Sequence, residues 1–238
     1  MDSELLTKST CISYNDFMYS SNICLHPGCM KTALSNFDEN GEILEANSYC
    51  YKHHPAPEDI KAKIYKYIQE HDKIVGLNAN GLTFKNIDLT NKRFYGCCFH
   101  HCIFAGIRST GFRSRISSFD YAVFTDCNLI KSNMQYTSFA GAKFIHVLFT
   151  GSDMILDNFT GLSSFQSSFD DSDLYSSRFI NAKLVDTSIR NCNIRQTIFY
   201  NLEQQNVSFR MSNTKEANFD EKGSALFMGD DDYDKSAI

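Results

Sequence analysis

Four side chains that bind transition metals stand in two pairs near the start of this 238-residue chain. Four residues separate Cys24 from Cys29, and two separate Cys50 from His53. Each pair lies in a short segment that can form a tight turn, and a Pro-Gly dipeptide precedes Cys29. Two such turns can aim four ligands at one tetrahedral ion, as a closed structural zinc site requires. The spacing therefore predicts Zn²⁺ bound by these four residues.

Other side chains in the same region could replace one of these ligands. His54, His26 and Cys11 are the alternates, because spacing does not settle ligand identity within such a cluster. The competing interpretation is a loop-rich segment with free cysteines and surface histidines. The pattern resembles the small Cys3His zinc fingers found at the ends of bacterial proteins. Since four protein ligands would leave no open position on the ion, we expect a structural site and no hydrolysis there.

The segments next to these ligands must hold them in place. Residues 1–56 have few aliphatic side chains, so a metal would supply stability that this module lacks. A helix is predicted to begin at Pro57, with an apolar stripe formed by Ile60, Ile64, Tyr67 and Ile68. We expect residues 57–81 to provide a capping helix and a run-in to the repeats that follow.

A bulky apolar residue returns at every fifth position between Leu82 and Glu221. Of the 28 positions from Phe84 to Phe219 in steps of five, 23 are apolar. Fifteen of the 17 phenylalanines in this stretch fall on them. Neither a helix of period 3.6 nor a strand of period two would keep these side chains on one side. The pattern therefore predicts a solenoid over residues 82–221.

The other positions of each pentad agree with a narrow, filled interior. The residue two before the large one is mostly small, and the residue two after it is mostly Gly, Asn or Asp, which bend the backbone at low cost. In four pentads the central residue is polar and the residue two before it is large instead, which indicates that two inward positions share one volume. These pairs are Ile107 with Ser109, Phe112 with Ser114, Leu162 with Ser164, and Leu202 with Gln204.

This pattern resembles the pentapeptide-repeat family. The family's small residue, Asp or Asn, then Leu or Phe, is legible around Leu129, Leu174 and Phe219. The resemblance implies a mainly β fold, a right-handed quadrilateral β-helix with four pentads per coil and about seven coils. The left-handed β-helix of acyltransferases would need a period of six. In family members a C-terminal segment often joins two rods, so residues 222–238, an acidic tail, could form a homodimer contact or cover the last coil.

Cysteine usage indicates the cellular compartment of the protein. Nine cysteines, with no secretory signal and no long apolar span, predict a reducing, cytoplasmic compartment without membrane insertion. Four of them take small inward positions, where we expect packing and not chemistry; these are Cys97, Cys102, Cys127 and Cys192. Asp157 also takes an inward position, and the sequence leaves open whether it is buried or turned out by a bulge.

Residues 82–221 carry a net charge of only +1, yet cations cluster on one predicted face. These are Lys92, Arg93, Arg113 and Arg115. They could bind an acidic partner or phosphate, or they could form an ordinary solvated face.

No Gly-rich phosphate loop and no plausible Ser/His/Asp pocket is apparent, and a solenoid filled with Phe has no substrate cavity. We therefore expect a non-catalytic interaction scaffold with a protein partner. One alternative, implied by the family resemblance, is a DNA-mimic binder of type II topoisomerases (gyrase) that protects them from quinolones. Another is an adaptor for nucleic acid or an acidic partner that uses the zinc module and the basic cluster.

Overall fold

The computed structural model describes residues 22–220 as a parallel β-solenoid of about seven turns, with one α-helix and a small N-terminal module. The mainly β fold class and the solenoid predicted from the sequence are confirmed. Cys11, Glu221 and the tail 222–238, with the homodimer contact predicted for it, lie outside the described residues.

The N-terminal module is small and contains little regular structure. Strands β1 (Asn36–Phe37) and β2 (Ile43–Leu44) pair antiparallel, and a 3-10 turn spans Tyr51–His53. Helix α1 follows over Pro57–Glu70, and it begins at the predicted proline. Glu58 and Asp59 lie in its first turn, where acidic side chains complement the helix dipole.

Short strands form the solenoid. In chain order they are β3 (Lys73–Val75), β4 (Thr83–Lys85), β5 (Arg93–Tyr95), β6 (Ile103–Ala105), β7 (Arg113–Arg115), β8 (Val123–Thr125), β9 (Asn133–Gln135), β10 (Lys143–Ile145), β11 (Asp153–Ile155), β12 (Ser163–Phe165), β13 (Lys183–Val185), β14 (Ile198–Phe199), β15 (Glu203–Gln205) and β16 (Asn218–Phe219).

Strands twenty residues apart pair in parallel register, so each coil contains four pentads and each pentad forms one face. Face A holds β3, β5, β7, β9 and β11, and face C holds β4, β6, β8, β10, β12, β13 and β15. Faces B and D lie between them and pair mostly through isolated bridges, with β14 and β16 on face B. The coil geometry already begins at β3, where Ile74 pairs with Phe94. Ile74 and Ala79 continue the series of every-fifth positions, here called the frame, toward the N-terminus, and both are buried.

Stacked phenylalanine rings fill the interior. On face B, Phe99 stacks on Phe119 with ring centroids 4.9 Å apart, and similar steps continue through Phe139, Phe159 and Phe179. Such ring pairs stabilise by about 0.5–1.5 kcal/mol beyond their buried area. The sequence also predicted that two inward positions of a pentad share one volume. This is confirmed, because in all four pentads with a polar central residue the large residue two before it is buried.

Every corner of the coil places its middle residue in the left-handed region. Each described residue two after a frame position, from Gly76 to Met211, has φ between 47° and 73°. This is why Gly, Asn and Asp are common there. Thr214 has no large residue two before it, and a 3-10 turn over Thr214–Glu216 replaces the strand at that position.

Helix α1 covers the first coil, as the apolar stripe predicted. Its buried residues are Ile60, Ile64, Tyr67 and Ile68. Tyr65, beside the stripe, stacks on Phe84 with centroids 5.0 Å apart and donates its hydroxyl proton to the carbonyl of Thr83. The helix thereby closes the apolar end of the solenoid.

Asp157 is fully buried and does not turn outward. Its Oδ1 accepts a hydrogen bond from the Thr137 amide at 2.8 Å, while Oδ2 has no partner among residues 22–220. Burial raises the pKa of this carboxyl well above its usual range, although the Thr137 amide opposes that shift. The equivalent position in the next coil is Ser177, whose hydroxyl accepts a hydrogen bond from the Asp157 amide and donates one to the Met154 carbonyl. A protonated carboxyl can therefore take the place of a hydroxyl here.

Candidate functional site

Two turns bring the metal-ligating pairs of the N-terminal module together. The first runs from His26 to Cys29, whose amide donates to the His26 carbonyl at 3.0 Å. Pro27 and Gly28, with φ of 76° at Gly28, suit the two central positions of a type II turn. The second is the 3-10 turn, in which the His53 amide donates to the Cys50 carbonyl at 3.0 Å.

Backbone pairing connects the two turns. The Leu25 amide donates to the Ser48 carbonyl and the Leu34 amide to the Tyr49 carbonyl, each at 3.0 Å. These contacts hold the segment before Cys50 against the segment that carries Cys24. The four predicted ligand residues are thus brought to one place by main-chain hydrogen bonds.

The ligand atoms of Cys24, Cys29, Cys50 and His53 all lie within 4.8 Å of one another and could hold a metal ion. His53 Nδ1 is 3.6 Å from the sulfurs of both Cys24 and Cys50. The sulfurs of Cys29 and Cys50 are 3.9 Å apart. Among residues 22–220 no other group of three or more His, Cys, Asp or Glu has this geometry.

The thiols of this cluster differ in acidity. Burial acts to raise the pKa of Cys24, but backbone hydrogen bonds from Cys50 and His26 and side-chain ones from His53 and Cys50 outweigh it. The pKa of Cys24 is thereby lowered to about 6. Burial raises the pKa of Cys50, and the adjacent thiols of Cys24 and Cys29 add to that effect. A cluster in which one thiol ionises readily is suited to binding a cation.

Neither alternate histidine among the described residues belongs to this group. The ring of His26 stacks on that of His53 with centroids 3.9 Å apart, and the His26 amide donates to the sulfur of Cys24 at 3.5 Å. Nδ1 of His54 accepts from the Ala56 amide at 3.1 Å, and its ring contacts Tyr49 edge-on. His26 therefore supports two candidate ligands, and His54 faces a different part of the module.

The module is also attached to the first coil, through residues that the sequence pattern does not single out. The Ser35 amide donates to the Asn78 carbonyl at 2.9 Å, and the Asn78 amide donates to Ser35 Oγ at 2.8 Å. Phe37 packs against Tyr67 of α1 with centroids 5.4 Å apart. The module thus pairs with the end of face B, which would otherwise expose unpaired backbone.

The cysteines at inward solenoid positions are packing residues. Their sulfurs contact the carbonyl 23 residues earlier, as in Cys102 with Ala79 at 3.0 Å and Cys192 with Phe169 at 3.1 Å. Burial raises the pKa of Cys97 and of Cys192 to about 12, and it raises the pKa of Cys102 and Cys127 as well. These thiols stay protonated at neutral pH and are poor nucleophiles.

The structure divides the predicted basic cluster. Lys92 turns toward α1, where its ammonium donates to the carbonyls of Gln69 and His71 at 2.9 and 3.0 Å. Its side chain is only 11% exposed, so it caps the helix C-terminus and is not part of an open surface. Arg93 and Arg113 are register partners on face A, and Arg115 lies on the same strand as Arg113. The three arginines are exposed, and none forms an ion pair within residues 22–220.

The two histidines next to each other on face B do not converge. His100 Nε2 is 2.7 Å from Ser118 Oγ, whereas the His101 ring stacks on Tyr121 with centroids 5.1 Å apart.

In the part of the chain that the structure describes, no helix is long and apolar enough to span a bilayer.

Residues 117–161 match the family described as pentapeptide repeats, in eight copies. The matched residues lie within the solenoid, and its four faces and in-register coils continue the same five-residue repeat on both sides of them. Proteins of this family are generally non-catalytic structural or interaction proteins. No curated protein matches the chain.

Several solved structures match the chain at low sequence identity and low TM-score. QnrB1, a plasmid-mediated fluoroquinolone resistance protein, is 13% identical over 60% of this chain and 78% of its own, with a TM-score of 0.28. HetL, involved in heterocyst differentiation regulation in the cyanobacterium Nostoc sp. strain PCC 7120, is 13% identical over 66% and 95%, with a TM-score of 0.29. Rfr23 from the cyanobacterium Cyanothece 51142 is 11% identical over 67% and 99%, with a TM-score of 0.24. Resistance and differentiation are properties of those proteins.

Proposed function

We propose that this protein is a non-catalytic interaction scaffold, a rigid rod closed at its N-terminal end by a module that a structural zinc ion holds together. The observation that carries the proposal is the convergence of Cys24, Cys29, Cys50 and His53 in a module that pairs with the first coil. The zinc would keep a cap in place and would not take part in a reaction.

The spacing of the ligand atoms supports a tetrahedral metal ion such as zinc. Zn–S and Zn–N bonds of about 2.3 and 2.05 Å at tetrahedral angles put two sulfurs about 3.8 Å apart and a sulfur and a nitrogen about 3.6 Å apart. The corresponding distances are 3.9 Å between Cys29 and Cys50, and 3.6 Å from His53 to Cys24 and to Cys50. Three thiolates and an imidazole are also a donor set that suits zinc. His26 would orient two of the ligands through its stacking and its amide.

The solenoid supports the scaffold role. Its interior is occupied by stacked rings, and the enclosed spaces along the axis between Phe84 and Phe139 are only about 10 Å³ each. Such a core leaves no room for a substrate, whereas four flat faces with fixed spacing offer surfaces to a partner.

Metal content tests the zinc part of the proposal. Protein purified without added metal should contain one zinc per chain, and Cys24→Ser should lose it. Cobalt bound in place of zinc should show the visible spectrum of a tetrahedral thiolate site. Cys127→Ser is the matched control, because Cys127 is buried in the solenoid away from the cluster and its substitution should leave zinc content unchanged. Full zinc content in Cys24→Ser would contradict the assignment.

A second candidate, an adaptor for an acidic partner or nucleic acid, is supported by the three exposed arginines of face A. Binding to type II topoisomerases stays a proposal, and these cations speak against a wholly DNA-like surface. Gyrase supercoiling measured with added protein distinguishes the two: the topoisomerase candidate expects inhibition or protection from quinolones, and the adaptor expects neither.

A further inference from the structure

One corner of the solenoid carries bulky apolar side chains where the backbone favours glycine. At the corner between faces A and B, the middle residues of three successive coils are Ile116, Tyr136 and Leu156, with φ of 51°, 54° and 60°. The two preceding coils have Gly76 and Gly96 at the same corner. We call these three side chains the A–B ridge.

The A–B ridge differs most from the corner between faces C and D; each of the other two corners has a single large apolar or aromatic side chain, Tyr121 at one and Met211 at the other. At the corner between faces C and D, every coil from Asn86 to Asn206 has Gly or a polar residue, namely Asn86, Gly106, Asp126, His146, Gln166, Asp186 and Asn206. Ile116 and Leu156 are the branched aliphatic residues with positive φ within residues 22–220. A side chain in this conformation costs about 1–2 kcal/mol relative to glycine, and every non-glycine corner bears that cost, so the ridge is set apart by its run of three bulky apolar side chains.

The ridge is open to solvent and continuous. Ile116 is 52% exposed and Tyr136 is 61% exposed, while Leu156 is half-buried. The Ile116 amide bonds to the carbonyl of Gln135, and the Tyr136 amide to that of Ile155, so the coils stack directly here. At about 4.8 Å per coil the three side chains cover about 10 Å along the rod.

Cations flank the ridge at its N-terminal end. Arg115 precedes Ile116 in the chain, and Lys73, Arg93 and Arg113 are successive register partners on face A. Further along the same face the register partners are Asn133 and Asp153. Like charges in adjacent strands destabilise a sheet, so three cations in register without an acid between them are suited to receiving negative charge.

We propose that the A–B ridge and Arg93, Arg113 and Arg115 form one docking surface for an acidic polypeptide segment that also carries apolar anchors. The segment is extended and lies along the rod. Its Asp or Glu side chains bind the arginines, and its apolar side chains pack on Tyr136 and Leu156. About 15 Å separates the level of Arg93 from that of Leu156, so five extended residues span the surface. Charge complementarity selects this partner, and Asp153 sets its direction by repelling acids at the other end.

This inference rests on the scaffold role, and its test leaves the zinc site untouched. Binding to the full-length protein is measured by fluorescence anisotropy with a panel of labelled eight-residue peptides. Each has three acidic and two apolar residues, with all orders represented. A second panel has serine in place of the apolar residues, and an oligothymidylate of matched charge is the third probe.

Two variants remove the two halves of the surface. Arg113→Glu with Arg115→Glu should weaken the best peptide at least about tenfold. Ile116→Gly with Tyr136→Gly and Leu156→Gly should do the same, and this variant should still fold because glycine relieves the strained corners. The matched controls are Tyr121→Gly, at another corner with 60% exposure and φ of 58°, and Lys143→Glu on face C.

Loss of binding in both variants, with binding unchanged in both controls, supports the proposal. It is overturned if no acidic-apolar peptide binds, if the serine panel binds equally well, or if either control loses binding as much as the variants. Preferential binding of the oligothymidylate also overturns it in favour of nucleic acid. In all these cases one zinc per chain would leave the structural part of the proposed function standing.

Discussion

Cys24 and Cys50 of the N-terminal module are buried, as the solenoid cysteines are, yet their thiols meet different partners. In the solenoid, Cys97 and Cys192 point at backbone carbonyls, and burial raises the pKa of each to about 12. In the module, the sulfurs of Cys24 and Cys50 each lie 3.6 Å from Nδ1 of His53, and the pKa of Cys24 is lowered to about 6. Burial alone therefore does not decide what a cysteine does; the groups that face its sulfur decide it.

The two regions also differ in what stabilises them. The solenoid repeats one interior contact in every coil, so each coil is held by its neighbours. The module has short strands and few buried side chains, and its two turns meet at the cluster of Cys24, Cys29, Cys50 and His53. The solenoid should then be stable without metal, and the module should not.

The largest expected effect is that of Cys24→Ser. Structural zinc contributes about 10–16 kcal/mol of apparent binding free energy in small zinc domains, so losing a thiolate ligand should unfold the module. Limited proteolysis should cut the variant between residues 22 and 56 and leave residues 84–219 intact. Resistance of residues 22–56 equal to that of the parent protein would show that the module does not depend on the cluster.

In the solenoid the corresponding large effect is Phe139→Ala. Phe139 is stacked between Phe119 and Phe159 at 5.2 and 5.4 Å, so the substitution leaves a cavity in the ring stack. We expect a loss of about 3–5 kcal/mol in the free energy of unfolding, measured by denaturant titration of the solenoid. Zinc affinity should not change; a parallel loss of zinc would mean that the two regions are coupled more tightly than the comparison implies.

Asp157 should make solenoid stability depend on pH. Its pKa is raised in the folded state, so as pH rises the unfolded carboxyl ionises first and the folded state binds more protons. Stability contributed by this group is therefore full below the ordinary Asp pKa and declines as pH rises toward the raised pKa. Asp157→Asn keeps the shape without titrating. The free energy of unfolding of the parent relative to this variant should fall by about 1.4 kcal/mol per pH unit in that window.

The pH test has a clear opposite outcome. If the parent and Asp157→Asn keep a constant difference from pH 4 to pH 8, Asp157 does not hold its proton in the folded protein. Asp153→Asn, on the exposed side of the strand before it, is the matched control for the same substitution at a surface position.

The smallest expected effect is that of Cys127→Ser. Serine can donate to the Phe104 carbonyl as the Cys127 thiol does, and Ser172 already makes the equivalent contact in another coil. We expect a change within about 1 kcal/mol in the free energy of unfolding, because a hydrogen bond of this kind replaces a weaker one at the cost of some apolar contact. A loss as large as that of Phe139→Ala would mean that the thiol has a role beyond packing.

The features that the sequence predicted are those carried by side-chain type and spacing. The frame from Phe84 to Phe219 follows from side-chain volume, and the set Cys24, Cys29, Cys50 and His53 follows from ligand chemistry. Lys92 could not be assigned correctly in the same way, because its role depends on where the C-terminus of α1 lies. The pairing of Ser35 with Asn78 likewise depends on docking between distant segments, and small polar residues give no pattern that indicates it.

Amide hydrogen exchange on the full-length protein, with and without a zinc chelator, tests the central claim most directly. The account predicts that chelation removes protection from residues 22–56 and leaves the amides of faces A to D in residues 84–219 protected. Loss of protection throughout the chain, or no change in residues 22–56, would contradict a metal-held cap on a solenoid that is stable by itself.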